Sequence, residues 1–315
     1  MKDLIKNKIK EIPIGVKAAV VYTLASVFSK GLAIITVPIF TRIMSISEIG
    51  IVNLYNSWYS MLNVIVTLSL TSGGYVAALK EFENERDEYQ SSVLSLTSLM
   101  ALVVAMIYFI NTSFWNKLTG LRTELMILMI IGFLFAPAYD FWLARQRYEY
   151  KYKLAGGLSI GSAFIASLFA VFVVVKMGDL EMNHISIGRL YATNSVSLII
   201  SFAIWVALLV RGKTFYNKKY WKYSLAMSLP LIGYALATQV LSVSDRMMIS
   251  RMVDNGAVGI YSTLYTVSSL SLIVWSAINS SFVPYLYENI DKENNEIKKV
   301  SLMLIGAYAI VAVLL

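Results

Sequence analysis

The chain has 315 residues with a mean hydropathy of +0.65, 57% of them hydrophobic and only 15% charged, a balance that excludes an ordinary soluble globular domain. It carries a formal charge of +8, no cysteine and one histidine, which excludes disulfides, thiolate metal centres and cysteine nucleophiles. A lone His184 in a short loop has no second imidazole beside it, so it is read as a solvated loop residue, and neither a metal nor a cofactor is expected.

The apolar residues fall into blocks long enough to cross a bilayer, which takes about 20 helical residues. Spans are predicted at 18–40, 51–79, 92–111, 123–144, 154–176, 188–210, 224–249, 256–287 and 297–315, giving an all-α polytopic membrane bundle of about nine transmembrane helices. The hairpins between them are too short to hold a soluble catalytic domain. Span 1 is too long for a cleavable signal, and no A-x-A site follows it.

Within span 1, Lys30 lies about 18 Å along the axis from Ala18 by helical rise, too deep for easy snorkelling. It is expected to face a water-filled cavity, the alternative being a structural pair with an acid on a neighbouring helix. Gly73-Gly74 and Gly156-Gly157 are expected to permit close helix packing. The acidic hairpin KEFENERDEY (80–89) reads as a solvated loop. Asp140, near the end of span 4, could be neutralised by Arg145 or Arg147 or could serve an ion. The interleaved basic and aromatic stretches RYEYKYK (147–153) and FYNKKYWKY (215–223) read as headgroup-layer anchors on anionic lipid, not as a nucleic-acid surface. Pro38, Pro137, Pro230 and Pro284 are expected to bend helices 1, 4, 7 and 8.

With the N-terminus in the cytoplasm, 19 of the 27 Lys and Arg residues fall on the cytoplasmic side and 7 on the opposite side, Lys30 alone lying within a span. That bias predicts odd-numbered helices running outward through the cell membrane.

One motif occurs twice. TRIMSISEIGIVN (41–53) and SRMVDNGAVGIYS (250–262) share Arg, two apolar residues, a short polar turn and an aliphatic-Gly-Ile step, with Arg42 and Gly50 spaced like Arg251 and Gly259. Helices 1–2 therefore match helices 7–8, and the even number of spans between the copies predicts the same orientation in the membrane.

On VPIFTRIMSISEIGIVNLY (37–55), SDRMMISRMVDNGAVGIYSTLY (244–265) and the basic loop LARQRYEYKYKL (143–154), the chain resembles the polysaccharide flippases of the multidrug/oligosaccharidyl-lipid/polysaccharide exporter superfamily. The resemblance implies a MATE-like pair of six-helix bundles around a V-shaped cavity, with residues 1–210 as the first bundle and 211–315 as the start of the second. The family has twelve to fourteen helices and this chain stops within its ninth, so the expected second bundle lacks helices 10–12. The resemblance further implies a transporter, not an enzyme, that moves a polyprenyl-diphosphate-linked oligosaccharide from the cytoplasmic to the outer leaflet. A diphosphate crossing the midplane needs cations in a wet cleft. Lys30 is the expected midplane charge, with Arg42, Arg246 and Arg251 at the outer mouth; Asp140 and Asp245 are the candidates for a coupling proton or Na+. A multidrug exporter of the same superfamily would line its cavity with acids, a glycosyltransferase would need an acid pair or a large outer loop, and an assembly protein would hold Lys30 in a charge pair.

Overall fold

The computed structural model describes residues 14–71, 74–269, 301–303 and 305–306. Most of span 9, the part of span 8 beyond Ser269, Gly73 and Pro284 lie outside the described residues. The chain forms two compact units, Met1–Gly259 and Ile260–Leu315, and the first carries both hydrophobic cores.

All regular structure among the described residues of this first unit is helical, as lipid demands of a backbone that finds no water to bond. The helices of the chain are α1 (Ile14–Ile43), α2 (Ile46–Val66), α3 (Gly74–Glu81), a 3-10 turn (Glu83–Glu85), α4 (Arg86–Ile110), α5 (Thr112–Thr119), α6 (Thr123–Tyr148), α7 (Tyr152–Asp179), α8 (Ile185–Gly212), α9 (Lys218–Met252) and α10 (Asn255–Ser268). Consecutive spans alternate in direction. One end of the bundle, the base, gathers the start of α1 and the loops 82–86, 149–151 and 213–217; the other, the crown, gathers 44–45, 111–122, 180–184 and 253–254.

The long helices α1, α4, α6, α7, α8 and α9 are apolar enough to span a bilayer. In α6, 50% of the most apolar stretch is buried, against 11% in α1, α7, α8 and α9, so α6 is the central post and those four face outward along most of their length. α1 and α7 run the same way, in register from Val21 against Gly156, through the Phe28 and Phe164 rings at 6.5 Å, to Ile43 against Gly178. A crown-side core of Leu54, Tyr55, Leu125, Met129, Phe133 and Val174 is separate from a base-side core of Tyr75, Leu79, Tyr89, Val93, Phe141 and Tyr220.

Several features differ from the sequence reading. Span 2 is not one helix: α2 ends at Val66 and α3 begins at Gly74, with Leu68 and Ser69 both at φ 50. Pro38, Pro137 and Pro230 lie inside α1, α6 and α9, the helices in which bends are expected. The crown loop before span 4 contains a helix, α5, which Asn111 caps by accepting from the Phe114 N–H at 3.0 Å and Gly120 ends at φ 70. Span 3 starts early, at Arg86, because its polar first turn is held by Arg145 from α6, which donates to Asp87 and Gln90. Gly74 and Gly156 do pack closely, a Cβ on either lying 2.9 Å from Met227 or 2.4 Å from Val21; nothing comes within 4 Å of Gly157.

The alternation is testable because the chain has no cysteine of its own. Tyr150→Cys and Tyr216→Cys should react with an impermeant maleimide from one side of the membrane, and Phe114→Cys and Leu180→Cys from the other. A Tyr216→Cys that labels together with the crown pair would break the order of α8 and α9.

Candidate functional site

At the base, two loops that look independent in the sequence are bound together. Arg145, in the last turn of α6, donates to Asp87 and, at 3.0 Å, to Gln90 Oε1 on α4, while its Nε lies 2.9 Å from Glu149 Oε1. Glu149 also accepts from Lys151 Nζ at 2.5 Å and lies 3.9 Å from Arg86. Arg86 is itself engaged three times over: with the Leu79 carbonyl at 2.8 Å, with Glu83 at 3.2 Å, and 5.1 Å above the Tyr148 ring. Around this network Tyr75, Phe82, Tyr89, Phe141 and Tyr220 pack ring to ring, and Tyr220 donates to Glu85 at 2.6 Å, which fixes the start of α9. Burial works to raise the Glu149 carboxyl, but the hydrogen bonds from Lys151 and Arg145 outweigh it and hold the group below the ordinary carboxylate range.

Beside the network opens a cavity of about 720 Å³, lined by Thr71 from the break in span 2, Val76, Arg86, Arg147, Glu149 and Tyr150 among others. Its two arginines differ. Arg86 is neutralised by its carboxylates, whereas Arg147 is exposed, has no ion pair among the described residues, and lies 5.2 Å from the centre of the Tyr22 ring. Seven residues back on α6, and so on nearly the same helical face, is Asp140, also exposed and within electrostatic reach of Arg147 and of Tyr59 on α2.

The six residues singled out from the sequence do not converge on this cavity; none is among those lining it. Lys30 is exposed on α1 with no ion pair among the described residues. Arg42 is exposed at the crown end of α1, and Arg251 holds the matching place on α9, its guanidinium reaching the Leu118 carbonyl in the last turn of α5. Arg251 lines a second, crown cavity of about 540 Å³ with Leu54, Trp58, Lys117, Ser244 and Met247. Arg246 donates to the Ser242 carbonyl at 3.0 Å and lies 4.0 Å from Asp245, which also caps the Arg246 N–H at 2.8 Å. His184 is exposed, as read, but its Nε2 accepts from Arg122 Nη1 at 2.8 Å. Among the described residues no cluster of three or more His, Cys, Asp or Glu side chains could hold a metal ion.

The sequence reading missed Arg86, Asp87, Arg145 and Glu149 as partners. The only signal was that an acidic hairpin (80–89) and a basic one (145–153) sit at the same end of a bundle, where opposite charges attract.

Among the described residues, six helices long and apolar enough to cross a membrane, α6 being the central post, with charged loops at both ends, define a multi-pass helical membrane protein. Residues 16–290 match the family model described as polysaccharide biosynthesis protein, and the chain belongs to that family. The grouping drawn from the duplicated motifs is the same one. No curated protein and no solved structure matches the chain.

Glu149→Gln removes the charge and one of the two carboxylate oxygens that accept from Arg145 and Lys151. At neutral pH it should lower the unfolding free energy by about 1.5–3 kcal/mol, the range for hydrogen bonds to charged groups. Because the folded carboxyl is depressed, its contribution is present above the ordinary Glu range near about 4.3 and is lost as pH falls through the lower folded value. The parent and Glu149→Gln should therefore differ in thermal midpoint at neutral pH and converge only once the pH has fallen below the depressed folded value.

Proposed function

We propose that the protein is a flippase, a transporter that moves a polyprenyl-diphosphate-linked oligosaccharide from the cytoplasmic to the outer leaflet of the cell membrane for surface-polysaccharide synthesis. Membership of the polysaccharide biosynthesis family supports the pathway, and the observation that carries the reading at the level of side chains is Arg147. An arginine in a wet cavity at the base, held by an aromatic ring and with no carboxylate partner among the described residues, has its fork of donors available for a diphosphate.

On this reading the base is the cytoplasmic face, as the Lys and Arg bias argues, and the cavity there receives the headgroup while the polyprenyl tail stays in lipid. Residues 1–210 supply one bundle and 211–315 open a second. Lys30 offers a charge on the route across the midplane, and Arg42, Arg246 and Arg251 offer charges toward the crown. Asp140, sharing a face of α6 with Arg147, is the first candidate for a coupling proton or Na+, ahead of Asp245, which is already engaged with Arg246. Chemistry on the glycan is not part of the role; the protein acts as a transporter and no cofactor is invoked.

The test is a leaflet-resolved assay of lipid-linked oligosaccharide in cells carrying single variants. Arg147→Ala should cut export roughly tenfold or more, the effect of losing one charge-assisted contact to phosphate, and Arg147→Lys should retain part of it. Lys30→Met should also lose export while Lys30→Arg keeps some. Export at the parent level from both Arg147→Ala and Lys30→Met would remove the electrostatic case for a diphosphate substrate.

A further inference from the structure

The duplicated motif folds into duplicated geometry. α1 ends at Ile43 and α9 at Met252, while α2 begins at Ile46 and α10 at Asn255, each pair separated by the same 209 residues as the two arginines. The caps repeat as well: the Ser45 hydroxyl accepts from the Glu48 N–H at 3.3 Å, and Asp254 Oδ1 accepts from the Ala257 N–H at 2.8 Å.

These two helix starts then meet at the crown, backbone against backbone. A Cβ added to Gly50 would lie 1.7 Å from the Asn255 carbonyl oxygen and 3.2 Å from the Gly259 nitrogen. One added to Gly259 would lie 2.1 Å from the Ile46 carbonyl oxygen. Each glycine thus faces the residue four positions before the other glycine, which is a self-complementary crossing about a local two-fold axis. No residue but glycine fits either place without moving a main chain. The adjoining Val258 is fully buried, and the Gly120 turn after α5 covers Leu54 and Ser250 beside the crossing.

We infer that this crossing is a latch that holds the crown shut, and that its separation is the step by which the crown opens. The inference rests on the transporter reading. In lipid, small residues let two backbones approach until Cα–H groups meet carbonyl oxygens, a weak contact with no side chains to disengage. The base, where charges and rings lock the loops around an open cavity, has the opposite character.

Two measurements test the latch apart from transport. In protein purified into liposomes with no glycan lipid present, a single Met247→Cys in the crown cavity reports crown opening by its rate of reaction with a maleimide. Adding Gly50→Val or Gly259→Val should raise that rate roughly fivefold to tenfold, the shift expected when a pair of weak contacts is lost. Equal rates in parent, Gly50→Val and Gly259→Val, all correctly inserted, would overturn the latch. Should the valine variants fail to insert, the glycines are left in place and Ile46→Cys with Asn255→Cys is joined by a short cleavable thiol cross-linker. The joined protein should lose export in cells and regain it on cleavage; export unchanged by the cross-link would overturn the latch. A maleimide response without any export of glycan lipid in the parent would instead keep the latch and sink the substrate assignment.

Discussion

Inside hydrocarbon a backbone amide has no partner except the chain itself, and the arrangement of this protein follows from where that demand is met and where it is relaxed. Three helices run on through Pro38, Pro137 and Pro230, losing one bond each and keeping the rest. The interruption of span 2 comes where Thr67, Ser69 and Leu70 are buried within the protein. There Thr67 Oγ1 donates to the Asn63 carbonyl at 2.7 Å, the Leu70 N–H bonds the Thr67 carbonyl at 3.0 Å, and Thr71 opens onto the base cavity. Holding Leu68 and Ser69 in the left-handed region costs on the order of 1 kcal/mol each. Ser69 and Leu70 are both buried in protein, which holds that conformation in place.

The two ends of the bundle are held by different physics. The base combines charge-assisted hydrogen bonds among Asp87, Arg145, Glu149 and Lys151 with a ring cluster reaching from α3 to α9, so separating it means breaking many contacts at once. At the crown, α2 and α10 meet backbone to backbone at Gly50 and Gly259, where a Cβ on either glycine would collide with the other segment's carbonyl oxygen.

How much of this was legible in the sequence depended on the range of the signal. Spans are written in local runs of about 20 residues, and α1, α4, α6, α7 and α8 fall where the runs fall. The duplicated motif was legible because both copies keep their arginine and glycine, although the sequence alone did not say that the two glycines would touch. The break in span 2 was hidden because its apolar residues continue on both sides of TSGG (71–74), and hydropathy does not register φ. Proline, the usual warning of a broken helix, marked other helices. The base network was hidden for another reason: Arg145 and Asp87 stand 58 positions apart, and each of their loops, taken alone, has the composition of an ordinary solvated turn.

Helical geometry then explains why neighbouring arginines on α6 have different fates. Positions two apart on an α-helix point about 200° apart, so Arg145 and Arg147 cannot serve the same partner. Arg145 turns to α4 and meets Asp87 and Gln90; Arg147 turns toward α1 and meets the face of Tyr22. Seven positions bring the helix back to within about 20°, which sets Asp140 on the Arg147 side, two turns deeper and near Tyr59. One face of the central helix therefore carries a cation at the base and a carboxylate farther in, both exposed. For the transport reading this order matters, because an anionic headgroup meets its attractive charge first, and the carboxylate beyond it repels the diphosphate unless a proton or metal cation neutralises it.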